Sequence, residues 1–267
     1  MDAKTFNTLR EIVYEKSGIS ISENKIALVT ARIGKRVREL KLADAARYLD
    51  YLLTDGNEDE TTNLLDVIST NVTSFFREEN HFDFLGGVFS EWLSAGQRRF
   101  RFWSAACSTG EEPYSLAMML LDKINGGRVD LKILATDIST RVLQKCKNGQ
   151  YAEEKLQTIP ARYQNQYLTI SREGDKKYAM ISESVKNCVV FQRINLSKPP
   201  FPMEGPMDAI FCRNVMIYFD NTVRKNLLND CFRLLKPGGY LFVGHAESLT
   251  GLLCGFKAIK PSVYIKN

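Results

Sequence analysis

Over roughly the first 75 residues, apolar side chains recur three and four positions apart, the spacing of one face of an α-helix. The pattern runs through FNTLREIVYEK (6–16), KIALVTARIGKRVRELK (25–41), AARYLDYLL (45–53) and TTNLLDVIST (61–70). Gly18, Gly34 and the acidic run DGNEDE (55–60) punctuate it, and Asp44 and Thr61 stand where helix N-caps are expected. From about residue 98 the pattern changes. Short runs of aromatic and β-branched residues alternate with helical stretches: RFRFWSAA (99–106) predicts a strand, EEPYSLAMMLLDKI (111–124) a helix, KILATDI (132–138) a strand and STRVLQKCK (139–147) a helix. CVVFQRINL (188–196) and MDAIFCRNV (207–215) predict strands. TVRKNLLNDCFRLL (222–235) predicts a helix stopped by Lys236-Pro237-Gly238-Gly239; GYLFVGHA (239–246) is the next strand, and VYIK (263–266) a last edge strand. Such alternation argues for a mostly parallel sheet with helices on both faces, an α/β class. Residues 151–187 interrupt it: LTISREGDKKYAMIS (168–182) reads as a hairpin turning at Glu173-Gly174-Asp175, a small antiparallel β insertion. The expected layout is an all-helical domain over 1–75, a linker and connecting helix over 76–97, and an α/β domain over 98–267 carrying the insertion.

Composition narrows the class. The 267 residues are 44% hydrophobic and 25% charged, which excludes wholesale disorder. No stretch approaches the ~18 apolar residues of a membrane helix. The N-terminal MDAKTFNTLREIVYEKSG lacks the apolar core of a secretory signal, so a cytoplasmic protein is expected. The six cysteines, at 107, 146, 188, 212, 231 and 254, show no metal spacing and read as buried free thiols. The two histidines, His81 and His245, stand far apart without a carboxylate or cysteine cluster beside them, so no metal is expected. The net charge of +5 is concentrated: Lys25, Arg32, Lys35, Arg36, Arg38 and Lys41, against Glu39 alone, account for all of it. Leu28, Val29, Ile33, Val37 and Leu40 form the apolar stripe of that helix, leaving the cations on a solvated face or on a docking face for an acidic partner. No nucleic-acid motif accompanies it, and the pI of 8.8 falls short of the ~9 usual for such domains.

Four strand ends carry chemistry. The turn Ala105 to Pro113 joins a strand to a helix through small residues and Gly110, but lacks the three glycines of a dinucleotide fingerprint. Glu111 and Glu112 at that helix start repel a pyrophosphate and suit a cationic ligand, or simply match the helix dipole. Asp137 ends the next strand, where such folds hold ribose hydroxyls, and is equally placed as a cap for the helix that follows. Asn195-Leu196 and Cys212-Arg213-Asn214 end the next two strands, and polar residues at the carboxyl ends of parallel strands converge on one crevice. A nucleoside with a cationic sulfur and an amino-acid tail, S-adenosylmethionine, satisfies all four.

The segments STNVTSFFRE (69–78), WSAACSTGEEPYS (103–115), ATDIS (135–139), IFCRNVMIYFD (210–220) and LKPGGYLFVGHAES (235–248) closely resemble, in order and over nearly the whole chain, the chemoreceptor glutamate O-methyltransferases, the CheR family. The resemblance implies a class I S-adenosylmethionine-dependent methyltransferase domain, Rossmann-like, and a substrate of glutamate side chains on methyl-accepting chemotaxis receptors. It implies that Asn71, Thr73 and Arg77 reach the cofactor from the interdomain linker, with Arg77 at its carboxylate. By the same resemblance one of Glu111 and Glu112 lies at the methionine end, Asp137 holds the ribose and adenosine, Asn195, Leu196, Arg213 and Asn214 line the nucleoside or methyl end, and Tyr218, with Arg213, stands near the transferring methyl. It assigns Arg32, Lys35, Arg36 and Arg38 to receptor docking, and in some members the β insertion also grips a peptide tethered at the receptor C-terminus. A monomer with no nucleic-acid partner and no membrane insertion is expected. The chemistry agrees: a glutamate with a pKa near ~4.3 is ionised at pH 7, so no general base is needed. The enzyme's contribution is positioning and desolvation. Phe75 and Phe76 read as core packing and His245 as a strand-end residue. An RNA or small-molecule methyltransferase on this fold, or a non-catalytic cofactor-sensing scaffold, are the rival readings.

Overall fold

The computed structural model describes all residues of the chain except 55–57, 70, 174–175, 250 and 253–254. Helices α1 (Ala3–Ser17), α2 (Ile26–Glu39), α3 (Ala45–Leu52) and α4 (Glu58–Ile68) form the N-terminal part. Their stripes meet in one core around Phe6, Leu9, Val13, Val29, Ile33, Tyr48, Leu64 and Leu65. Asp2 and Asp44 cap α1 and α3 by accepting the N–H groups of Thr5 and Arg47. Thr61 is not the first residue before α4, which begins three residues earlier and takes in Glu58–Glu60 of the acidic run; residues 55–57 of that run lie outside the described residues. Leu28 leaves the expected stripe and is 46% exposed, so the buried face of α2 rests on Val29 and Ile33.

After α5 (Glu79–Ser94) the chain alternates: β1 (Arg99–Ser104), α6 (Glu111–Ile124), β2 (Asp130–Asp137), α7 (Thr140–Asn148), β3 (Gln150–Ala152), α8 (Ala161–Tyr167), β4 (Leu168–Glu173), β5 (Lys176–Ile181), α9 (Glu183–Lys186), β6 (Val189–Arg193), β7 (Met207–Cys212), α10 (Asn221–Leu234), β8 (Leu235–Val243), β9 (Phe256–Lys260) and β10 (Val263–Lys266). Seven strands build one sheet in the order β6-β2-β1-β7-β8-β10-β9. The first five are parallel, and β10 runs antiparallel to both β8 and β9. This is the Rossmann-like, mostly parallel sheet of the α/β class. β7 sits inside it with every residue buried, as a strand covered on both faces must. VYIK is therefore not the edge: β10 inserts between β8 and β9, and β9 takes the edge.

β3, β5 and β4 form a separate antiparallel sheet, joined by a 3-10 turn (Glu153–Thr158) and α8. The turn residues Gly174 and Asp175 of the expected hairpin lie outside the described residues. Helix α5 packs Phe82, Leu85 and Phe89 into the core that also holds Phe100, Phe102, Tyr114 and Met118, with Phe75 and Phe76 buried in it. Cys107, Cys146, Cys188, Cys212 and Cys231 are buried free thiols; Cys254 lies outside the described residues. Among the described residues, no helix is long and apolar enough to cross a membrane.

Candidate functional site

One cleft opens at the carboxyl ends of β1, β2, β6 and β7, where a parallel sheet leaves a crevice. Ala105, Ala106 and Ser108, then Asp137, then Asn195 and Leu196, then Arg213 and Asn214 line its floor. Ser17 and Ile19 from the end of α1, and Asn71, Thr73 and Arg77 from the linker, form the opposite wall. Tyr218 and Glu112 also border it. Every residue expected at the cofactor is therefore gathered here except Glu111. Consecutive residues on a helix point about 100° apart. Glu111 turns away, fully buried, to accept from Lys155 Nζ at 3.0 Å and Thr109 Oγ1 at 2.6 Å. It borders a second cavity with Arg141, Lys145 and Lys155 instead.

Local chemistry fixes the floor. The turn after β1 needs Gly110, whose φ is +96° and whose missing Cβ would lie 2.7 Å from Tyr151 Oη. Asp137 ties this turn to β2, its carboxylate accepting the N–H of Ser108 at 2.9 Å and of Ser139 at 3.0 Å. Ser139, not Asp137, is the cap of α7. Burial pushes the Asp137 carboxyl up to about 6, against the pull of those two N–H groups. Asn195 lines the cleft and also ties the two parts of the chain together: its amide donates to the Lys16 carbonyl and accepts from Ser197, pinning the end of α1 to the sheet domain.

At the base of the cleft the Arg213 side chain is 2% exposed. Its Nη1 donates to Glu112 at 3.1 Å, Nε and Nη2 donate to Glu78 at 3.2 and 3.0 Å, and Nη2 also reaches the Arg77 carbonyl. The guanidinium lies over the rings of Phe82 and Phe211. These bonds use four of its five N–H groups and leave one Nη1–H for a further partner. Burial pushes the Glu112 carboxyl above its usual range although Arg213 and Ser104 pull it back. Burial also raises Glu78, but Arg213 and the N–H of His245 more than offset it, leaving Glu78 below its usual range. One cation thus serves two carboxylates, and the charged residues that line the cleft itself, Arg77 and Arg213 against Glu112 and Asp137, balance in sign. Replacing Arg213 by leucine should strand both carboxylates and cost about 3–5 kcal/mol of stability, read from the denaturant midpoint at pH 7. An unchanged midpoint would show that the pair needs no partner.

The histidines are not far apart in space. His81 and His245 meet edge to face at 5.0 Å beside Glu78, their ligating atoms and its carboxylate lying within 4.8 Å of one another. His81 is fully buried, both ring nitrogens lack a hydrogen-bond partner, and burial together with Arg213 lowers its pKa to about 4. The cation that satisfies Glu78 is Arg213, and a second cation in this corner would face it directly. Sequence spacing hid this corner, since nothing local links positions 78 and 245.

The docking face is also reorganised. Arg36 points inward, bidentate to Glu60 at 3.0 and 2.6 Å, with a further bond to Glu39, and the buried Glu60 also accepts from Tyr48 at 2.8 Å. Arg32 donates to the Ile68 carbonyl at the end of α4. Lys35 and Arg38 are the exposed cations of the four.

Residues 4–69 match the family described as CheR methyltransferase, all-alpha domain, and residues 71–265 match CheR methyltransferase, SAM binding domain. The chain is 38% identical to the chemotaxis protein methyltransferase of Borreliella burgdorferi, covering 97% of this chain and 93% of that one. It is 36% identical to the chemotaxis protein methyltransferase of Salmonella typhimurium, over 97% of this chain and 88% of the relative. It is 37% identical to chemotaxis protein methyltransferase 2 of Pseudomonas aeruginosa, over 97% and 91%.

Proposed function

The chain belongs to the CheR methyltransferase family, and from that premise we propose that it methylates glutamate side-chain carboxylates on chemotaxis receptors in the cytoplasm, forming methyl esters during sensory adaptation. The observation that carries this reading is the presence of opposite charges in one cleft: Asp137, suited to ribose hydroxyls, and Arg77, suited to an amino-acid carboxylate, both line it. S-adenosylmethionine, when bound, supplies a methyl group activated by a sulfonium. Asp137 and the linker residues Asn71, Thr73 and Arg77 hold it, and Glu112 adds negative charge near the cationic end. Tyr218 at the cleft edge orients the incoming carboxylate through its hydroxyl. No residue need remove a proton, because a glutamate is ionised at neutral pH. The chain's task is to exclude water and align two oppositely charged groups. Exposed Lys35 and Arg38 on α2 offer charge complementary to an acidic receptor helix.

The test is methyl transfer from radiolabelled S-adenosylmethionine to receptor-rich membranes and, in parallel, to total RNA. Base-labile label on a protein of receptor size, lost when the target glutamates become alanine, is the expected result. Label on RNA, or cofactor binding with no transfer to either pool, overturns the substrate assignment.

A further inference from the structure

The loop that carries Arg213, Asn214 and Tyr218 follows β7 and is too short to hold its own backbone by secondary structure. Apart from a 3-10 turn at Met216–Tyr218 it is irregular, and Asn214 adopts a φ of +58°. Arg224 Nε donates to the loop's Met216 carbonyl at 2.7 Å, and one side chain, Glu247, gathers its backbone N–H groups. Glu247, 6% exposed, places its carboxylate between the carboxyl ends of β7 and β8. One oxygen accepts the N–H groups of Met216 at 2.7 Å and Ile217 at 3.3 Å. The other accepts those of Asn214 at 2.9 Å and Gly244 at 2.6 Å. Four backbone donors at strand ends, the kind of concavity that usually receives a ligand's anion, are filled by an anion of the chain itself. Gly244 leaves room for this arrangement, since a Cβ there would lie 2.4 Å from Asn214 Nδ2.

We propose that Glu247 is a positioning residue for methyl transfer: its carboxylate fixes the 214–217 backbone and so sets where Tyr218 meets the incoming glutamate. The proposal rests on the receptor-methylating function above. Glu247 borders the cleft nowhere, so its effect passes through the loop. Glutamine in its place keeps the shape but turns an NH2 group toward two of the four donors. The loop then relaxes, and a misplacement of about 1 Å at a reacting group costs on the order of 10²-fold in rate.

The experiment compares wild type, Glu247→Gln and Gly244→Ala in three measurements: amide exchange of residues 213–219, calorimetric affinity for S-adenosylmethionine, and kcat and KM for receptor methylation per folded molecule. The expected result is faster exchange of this loop in both variants and a fall in kcat of tenfold or more, with a smaller change in receptor KM. Unchanged loop exchange, or a kcat per folded molecule equal to wild type, overturns the proposal. Should wild type transfer no methyl to receptors, the function fails, while the exchange measurement still decides whether Glu247 orders the loop. If Glu247→Gln does not fold, Gly244→Ala disturbs the same loop from the other side and carries the comparison.

Discussion

Replacing Asp137 by alanine should weaken S-adenosylmethionine binding by about 10²–10⁴-fold, since each hydrogen bond to a charged group contributes ~1.5–3 kcal/mol and a ribose presents two hydroxyls. The dependence on pH gives an independent check. The free protein's Asp137 carboxyl is raised by burial to about 6, so the ionised form that accepts hydroxyls dominates above that value. Affinity should hold constant from pH 8 to 7 and fall as pH drops through about 6, by up to tenfold per unit, while Asp137→Asn flattens the profile. The sign for stability is opposite. A carboxyl whose folded pKa is raised favours folding most below its unfolded value, and that contribution is lost as pH rises through the folded one. Calorimetry across pH 5 to 8, with a thermal melt at each pH, reads both. Unchanged affinity in the alanine variant would remove Asp137 from the cofactor site. The carboxylate also holds Ser108 and Ser139, so circular dichroism must show the variant folded before affinity is interpreted.

The second large effect separates two roles within one basic helix. Arg36→Glu should destabilise the helical domain by about 3–5 kcal/mol, because it deprives the buried Glu60 of its cation and sets a third carboxylate beside Glu39 and Glu60. Burial pushes Glu60 up, but Arg36, Tyr48 and Asn63 more than offset it, so the carboxyl sits below its ordinary range. This pair therefore stabilises above the unfolded pKa, and its contribution is lost as pH falls through the lower folded value. Reversing Lys35 and Arg38 together should leave the melting temperature and cofactor affinity in place. Receptor methylation should fall at low salt and converge with wild type at high salt, where surface attraction is screened. A stable, fully folded Arg36→Glu protein would refute the structural role. Undiminished methylation by the Lys35/Arg38 reversal would refute docking through α2.

Much of the architecture was legible because burial dictates it. MDAIFC is apolar nearly throughout, as a strand covered on both faces must be, whereas β1 and β2 start with alternating charged and apolar residues and are buried mainly toward their carboxyl ends. β9 was silent, since four of its five residues are exposed at an edge and no apolar face marks them. Strand-end residues of the site were legible because topology alone brings them together. What local pattern cannot reveal is the partner of a polar side chain. Glu111 and Glu112 are equivalent in sequence, yet one faces Lys155 and the other Arg213. Arg36 looked like its exposed neighbours because Glu60 lies on another helix. His81 and His245 looked isolated because only the completed sheet sets them side by side.

The contact between the two parts of the chain has a bearing on how such proteins diversify. Ser20 donates its N–H to the Tyr218 carbonyl at 2.8 Å, Ile19 bridges to Phe219, and Tyr14 donates its hydroxyl to Asp220. Gly18 allows this close approach, for a Cβ there would lie 2.4 Å from Ser197 Cβ. The helical part is thus no detachable adaptor that brings cargo to a self-sufficient engine. A chimera that imports a foreign helical part imports one wall of the cleft with it, Ser17, Ile19 and Ile68 included, and shuffling at this junction is constrained to sequences that rebuild both sides of the seam. Exposed side chains such as Lys35 and Arg38, by contrast, can change without touching this seam.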